Sequence, residues 1–500
     1  MPADQPRTPS VLSAHTVGAL VLAGVLVLAL RVCALPAIVM DGNVLIEELA
    51  RADGRVPLYY HALYLPLGAL VEFVVGGGRA LDALLWLSIL SGAATCVVAH
   101  RALARAFGVR AATLAVVAFA CAPAFWFMST NVELHATQAL GGAVVLSAAL
   151  ASTGAPGRRA AVLLAAAVAF ATLVHNSNVM LAPGAVLIAA RRVDATIDVR
   201  RMLRLAVAGG AAGVFGLVVD EAARRLSGIV DTMRLDRLVF DFAVPLDLQF
   251  LRFDVLRAWF PVLVVVVWGA PRSRAAWRAA WPFLAGAFPA GTVFVASSIE
   301  SVGGYFGSTA LFFVAAALAG ARSSSASAAP HTAPLQRIGA RALFAGVCLF
   351  GCFLGLNDAT SIERERLVEV GRLRFELARR VLPDGGLFVS LDPDLQCVSG
   401  RGHPVHDLPV AMALTALFAD ELADEVVFAE LERQLAGSAR RDEPLAFNMA
   451  WRGWAGARPD VVAFHERLLA MCELHYRLEP RDFDGIPFLV GVPRARGGSS

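Results

Sequence analysis

Just after the first long apolar run of this chain stands a single acid, Asp41, followed by Gly42 and Asn43 and then by Glu47 and Glu48. A carboxylate at a membrane boundary can act as the base that takes a proton from an attacking nucleophile. The same residue also suits the N-cap of a helix over 42–49, and the two roles are compatible. Further along the stretch come Tyr59, Tyr60, His61, Tyr64 and Pro66. His61 and Tyr64 are one helical turn apart, so they share a face that could line a cavity, although Tyr is also an ordinary interfacial anchor. Glu133 and His135, beside Asn131, and His175 with Asn178 lie between apolar runs. Ionisable groups so close to lipid are costly unless they face a cavity, while for His175 and Asn178 a short polar turn would serve as well. A leaving phosphate calls for a cationic clamp, and the planar fork of arginine matches phosphate oxygens. All 44 basic residues here are arginine, since the chain has no lysine. Arg234 and Arg237 sit in an amphipathic stretch that could hold such a headgroup, or form a solvated face paired with Asp231, Asp236 and Asp241.

The elements that must position these groups follow from composition. With 57% hydrophobic and 17% charged residues, and a mean hydropathy of +0.62, the chain belongs in lipid. Runs long enough to cross a hydrocarbon core of about 30 Å recur from residue 11 to residue 357 and then stop. The pattern predicts about eleven spans, near 12–32, 80–100, 111–128, 136–153, 160–175, 178–190, 203–219, 258–270, 282–298, 305–321 and 341–357. The first is too long for a secretory h-region and is read as an uncleaved span. Arginines cluster in alternate loops, at 101–110, 158–159, 191–204, 272–278 and 322–341. The positive-inside bias makes that face cytoplasmic, with the N-terminus inside, and an odd number of spans puts the C-terminal part outside. The opposite face then carries two long loops, 33–79 and 220–257. The expected fold class is mainly α, a polytopic domain over 1–357 followed by a soluble external α/β domain over 358–500.

In that second domain Thr360 and Glu363 have the spacing of a capping box and predict a charged helix to about Arg380. Strands are expected over 387–391 and 487–492, with helices near 410–436 and 459–477. The segment from Gly402 to Asp407, with His403 and His406, lacks helical metal-ligand order, contains Pro404 and reads as a surface loop. Cys397 and Cys472 are the two cysteines of this domain, and an oxidising compartment would permit them to pair. No glycine loop ending in Lys-Ser/Thr is present, which disfavours ATP-driven chemistry. A formal charge of +3 makes no case for nucleic acid, and no such partner is expected.

An acid directly after the first span, a helix of about ten residues, and a Tyr/His-x-x-Tyr-x-Pro segment before the second full span form one pattern, carried by Asp41, His61, Tyr64 and Pro66. It resembles the GT-C superfamily of membrane glycosyltransferases, especially the protein O-mannosyltransferase, aminoarabinose transferase and RgtA/B/C/D-like branch. Asn131, Glu133 and His135 in the second outer loop, and His175, Asn176 and Asn178 in the third, fit the same picture, which covers roughly residues 12–357. The resemblance implies sugar transfer from a polyprenyl-phosphate donor to a lipid, glycan or protein acceptor at the outer face of a bacterial-type inner membrane. It also implies Asp41 as general base and inversion at the anomeric carbon. Where many relatives carry a second acid after this Asp, Gly42 and Asn43 stand here. No metal ligand is therefore assigned; Glu47 and Glu48 could substitute for the missing acid toward a divalent cation, but nothing in their spacing demands it. Two other classes stay open: a transporter or flippase for a lipid-linked or polar substrate, and a catalytically lapsed relative. A transporter wants its ionisable groups near mid-span, whereas here they fall at the outer ends.

Overall fold

The computed structural model describes residues 14–35, 42–50, 61–192, 196–227, 256–296, 302–325, 334–390, 398–408, 424–449 and 459–494. Asp41, Arg234, Arg237 and Cys397 lie outside these described residues.

A helix stands at each position where the apolar runs predict a span. The bundle comprises α1 (Ala14–Cys33), α2 (Gly42–Ala50), α3 (Tyr64–Val75), α4 (Ala80–Phe107), α5 (Val109–Ala120), α6 (Pro123–Thr130), α7 (His135–Ser152) and α8 (Gly157–Val174). A 3-10 turn (Asn176–Leu181) then leads to α9 (Ala182–Ala189), α10 (Val199–Ser227), α11 (Ala258–Trp268), α12 (Arg274–Ala296), α13 (Val302–Ser325) and α14 (Pro334–Ala359). Among the described residues five helices are long and apolar enough to cross a membrane, or up to six if the bent pair α5–α6 is one span. Shorter apolar helices fill most of the remaining positions. One continuous apolar core runs from α1 through α13, and α1, α3, α10 and α14 turn large side chains such as Leu28, Phe73, Val207 and Phe353 outward, as helices facing lipid do.

The structure departs from the sequence reading in several places. The run expected as one span over 111–128 is broken between α5 and α6 with a bend of 65°, because Pro123 has no N–H to donate and restrains Ala122 to an extended conformation (ψ 133°). The expected outer loop 33–79 contains the apolar helix α3, too short to register as a 20-residue run. The expected loop 220–257 starts later, since α10 continues to Ser227 and carries Asp220 within it. The capping box at Thr360 does not form. Ser361 is the N-cap, its hydroxyl accepting from Arg364 N–H at 3.3 Å, while Thr360 Oγ1 turns back to donate to Leu356 O.

Beyond α14, helix α15 (Ile362–Val381) leads into a five-stranded sheet built from β1 (Gly386–Val389), β2 (Val405–Asp407), β3 (Leu445–Asn448), β4 (Tyr476–Phe483) and β5 (Ile486–Pro493), with helices α16 (Asp424–Arg440) and α17 (Pro459–His475) between strands. The order is β2-β1-β3-β5-β4, with β1 parallel to both neighbours and β5 antiparallel to β3 and β4. Successive side chains point to opposite faces. Leu387 and Val389 join a core with α16 and α17, and Phe388 joins a second core with α15. The expected loop over Gly402–Asp407 thus contains a strand. Asp407 is buried there, in an ion pair with Arg374 at 2.9 Å and accepting from the Ser399 hydroxyl at 3.2 Å.

Candidate functional site

The turn ahead of α3 brings the first polar group into the bundle. His61 adopts a left-handed conformation (φ 67°), and three backbone hydrogen bonds fix the turn around it. Ala62 N–H donates to Asp220 Oδ1 at 2.8 Å, Leu63 N–H to Leu173 O at 2.9 Å, and Tyr64 N–H to His61 O at 2.8 Å. The turn is thereby clamped against the same ends of α8 and α10. Asn176 ties the clamp together, its N–H reaching His61 Nδ1 and its side-chain amide reaching Asp220 Oδ2, each at 3.4 Å. His61 is buried, and its imidazole stacks on that of His175 with centroids 4.0 Å apart and planes 20° apart. Burial, with His135 nearby, lowers His61 to about 3, so its ring is neutral at ordinary pH.

From this stack a chain of polar side chains runs across the bundle. His175 Nδ1 meets Ser177 Oγ at 2.8 Å, Gln138 Nε2 donates to Ser177 Oγ at 2.9 Å, and Gln138 Oε1 lies 3.4 Å from His135 Nδ1. His135 Nε2 is 3.7 Å from Glu133 Oε2. The hydroxyl of the wholly buried Tyr64 lies beside Glu133 and Ser88. Asn178 locks the 3-10 turn in place by donating to Gln138 O and Ala171 O, both at 3.1 Å, and its buried Oδ1 has no hydrogen-bond partner among the described residues. Gly141 permits this approach, because a Cβ there would come within 2.5 Å of Asn178 Nδ2.

Of the sequence-predicted site residues, His61, Tyr64, Glu133, His135, His175 and Asn178 come together in this one buried cluster. Asp41 directly precedes α2 but is outside the described residues, as are Arg234 and Arg237. Among the described residues no group of three or more His, Cys, Asp or Glu side chains is arranged to hold a metal ion.

Besides Gln138 and Ser177, two charged contributors were not singled out from the sequence. Asp220 closes an apolar run much as Asp41 does, and that parallel was the available signal. Arg364, at the third position of α15, turns back into the bundle. Its guanidinium is buried, donates to Thr130 Oγ1 at 3.2 Å, Ala359 O at 3.1 Å and Asn131 Oδ1, and lies 5.7 Å from the centre of the Phe127 ring. A cation is thus held on Asn131, which is two residues before Glu133, and nothing in the charged pattern of α15 announced that it would face inward.

Comparison with solved structures places this architecture. ArnT from Cupriavidus metallidurans matches both in its apo state (TM-score 0.57, 96% of this chain and 98% of that one) and bound to undecaprenyl phosphate (TM-score 0.56, 95% and 98%), each at 16% sequence identity. The chain shares the fold of ArnT. The match takes in the α/β domain as well as the bundle, since it extends over nearly all of both chains. An oligosaccharyltransferase of Archaeoglobus fulgidus, in complex with zinc and sulfate, aligns at a TM-score of 0.46 and 12% identity over 94% of this chain and 72% of that one. No protein-family model and no curated protein matches the sequence.

Proposed function

We propose that this chain is a membrane glycosyltransferase that moves a sugar from a polyprenyl-phosphate donor to a lipid, glycan or protein acceptor at the outer face of the cytoplasmic membrane. The observation that carries the reading is the buried cluster at one end of α7, α8 and α10, in a chain with the GT-C fold. Six ionisable or amide side chains from three separate segments meet there, inside a bundle whose core is mainly apolar. That ArnT is seen with undecaprenyl phosphate bound supports a lipid-linked donor here.

In this reading Asp41 takes the proton of the acceptor nucleophile, which attacks the anomeric carbon with inversion. The bond to phosphate breaks, and the electron pair leaves with the polyprenyl phosphate, whose charge an arginine meets. Arg234 and Arg237 are the sequence candidates, and Arg364 is a buried arginine bordering the cluster. His61, Tyr64, Glu133, His135, His175 and Asn178 shape and hydrogen-bond the substrate. The reading includes eleven spans, with the shorter apolar helices crossing alongside the long ones, residues 1–357 as the membrane domain and 358–500 as the external domain. The polar groups sit at helix ends and not at mid-span, which favours transfer over transport.

Membranes carrying the chain, offered a panel of polyprenyl-phosphate sugars, should transfer one of them. Asp41→Asn should abolish that transfer while expression and membrane insertion stay normal. Full activity in this variant removes Asp41 from the mechanism, and no transfer from any donor in the wild type removes the reaction.

A further inference from the structure

At the ends of α8 and α10 opposite the polar cluster, a cavity of 710 Å³ opens among Gly157, Arg192, Asp198, Arg200, Arg201 and Arg204. Among the described residues, four arginines and one carboxylate line it. Asp198 is engaged, by Arg192 at 2.9 Å and by the Arg201 N–H at 3.0 Å. Arg201 is fixed in place by the carbonyl oxygens of Ala189 (3.0 Å), Ala155 (2.8 Å) and Ser152. Its charge is therefore presented by neutral acceptors and is not cancelled by them. Arg200 and Arg204 are exposed.

The positive-inside bias accounts for arginines at this end of the bundle, but not for a concave site between them. Both α8 and α10 start here; the carboxylate of Asp198 caps α10 by accepting from Arg201 N–H, whereas α8 has no acid in its first turn. At the start of α8, where Gly157 lines the cavity, the positive end of the macrodipole favours an anion. Beside the cavity, Val162, Leu163, Val199, Leu203 and Val207 face outward, so a ligand reaching this site from the side crosses apolar surface. An anionic head with acyl tails fits both features.

We propose that this cavity binds the phosphate of an anionic phospholipid, at the opposite membrane face from the polar cluster and independently of the transfer reaction. The full chain, purified and exchanged into nanodiscs of phosphatidylglycerol or phosphatidylcholine, should retain phosphatidylglycerol selectively when bound lipid is counted by native mass spectrometry. Arg204→Gln should weaken retention about fivefold, and Arg200→Gln with Arg204→Gln about thirtyfold. The single variant keeps the test decisive if the double one does not fold. Equal retention of the two lipids by the wild type, or unchanged retention in the variants, overturns the proposal. So does displacement of the lipid by equimolar inorganic phosphate, which would assign the site to free phosphate.

Discussion

Asp220 is the residue whose removal tests the construction of the cluster most directly. Its carboxylate accepts from Ala62 N–H at 2.8 Å in a buried setting, and a hydrogen bond to a charged acceptor contributes about 1.5–3 kcal/mol. Asp220→Ala leaves that N–H without its acceptor and loses the weaker contact to Asn176, for a total cost of about 3 kcal/mol. Part of the function of this clamp is to hold His61 at φ 67°, a conformation that costs a residue with a Cβ about 1–2 kcal/mol. His61→Gly adopts the same φ without strain, so it should lessen the penalty of Asp220→Ala, with a coupling of about 1 kcal/mol in a double-mutant cycle. Graded SDS unfolding of the four purified variants in mixed micelles gives the stabilities, and transfer rates in membranes give the functional readout. If Asp220→Ala lies within about 0.5 kcal/mol of wild type, or if the two substitutions are additive to that precision, the clamp is not what positions His61.

Two further outcomes follow from the same geometry. His61 is lowered to about 3 by burial, so between pH 6.5 and 3 the unfolded chain binds a proton that the folded chain does not. Its contribution to stability is complete above 6.5 and falls by about 1.4 kcal/mol per pH unit as pH decreases through that window, and His61→Gln should flatten the slope of unfolding stability against pH by that amount. Arg364→Ala should release the start of α15 from the end of α6 at a cost of about 2–3 kcal/mol, read as faster proteolytic cleavage near residue 360, whereas an unchanged cleavage rate would show that the domain is held by other contacts.

The positions of the helices were legible because, in a chain of this composition, a long apolar run leaves its backbone polar groups no partners but their own, and the helix pairs them all. What that signal misses is any feature shorter than a span. The helix Tyr64–Val75 is half the necessary length, and a break at Pro123 hides within a run that stays apolar on both sides. In the second domain, the strand Gly386–Val389 was readable because it is buried on both faces and so apolar throughout. Tyr476–Phe483 was not, since it is an edge strand with exposed polar side chains and carries Pro480, which an edge tolerates. For the cluster, residue type was the readable part: a His, Glu or Asn beside an apolar run is expensive wherever it is not partnered. Which of them meet depends on how helix ends are juxtaposed. No local spacing encodes the stacking of His61 on His175, 114 positions later, or the return of Arg364 to Asn131.

The second domain is built into the same end of the molecule as the cluster. Just before β2 the chain passes over the start of α4, where Leu81 N–H donates to Gly400 O at 3.3 Å and Gly402 N–H to Gly78 O at 2.6 Å. Gly400 has φ +70°, and a Cβ on it would lie 2.8 Å from Ala80 Cβ and 2.9 Å from Ile46 Cγ2, so only glycine lets this strand-side loop lie flat on α2 and α4. Ile46 belongs to the helix that begins directly after Asp41, and that helix also packs against α3, which starts at Tyr64. With Arg364 anchored at the end of α6, the domain touches the bundle in both of these places. One borders the helix that follows the proposed base, the other borders the segment that carries Glu133. The domain therefore packs on elements that flank the cluster, so Gly400 and Arg364 hold its sheet against the same end of the bundle.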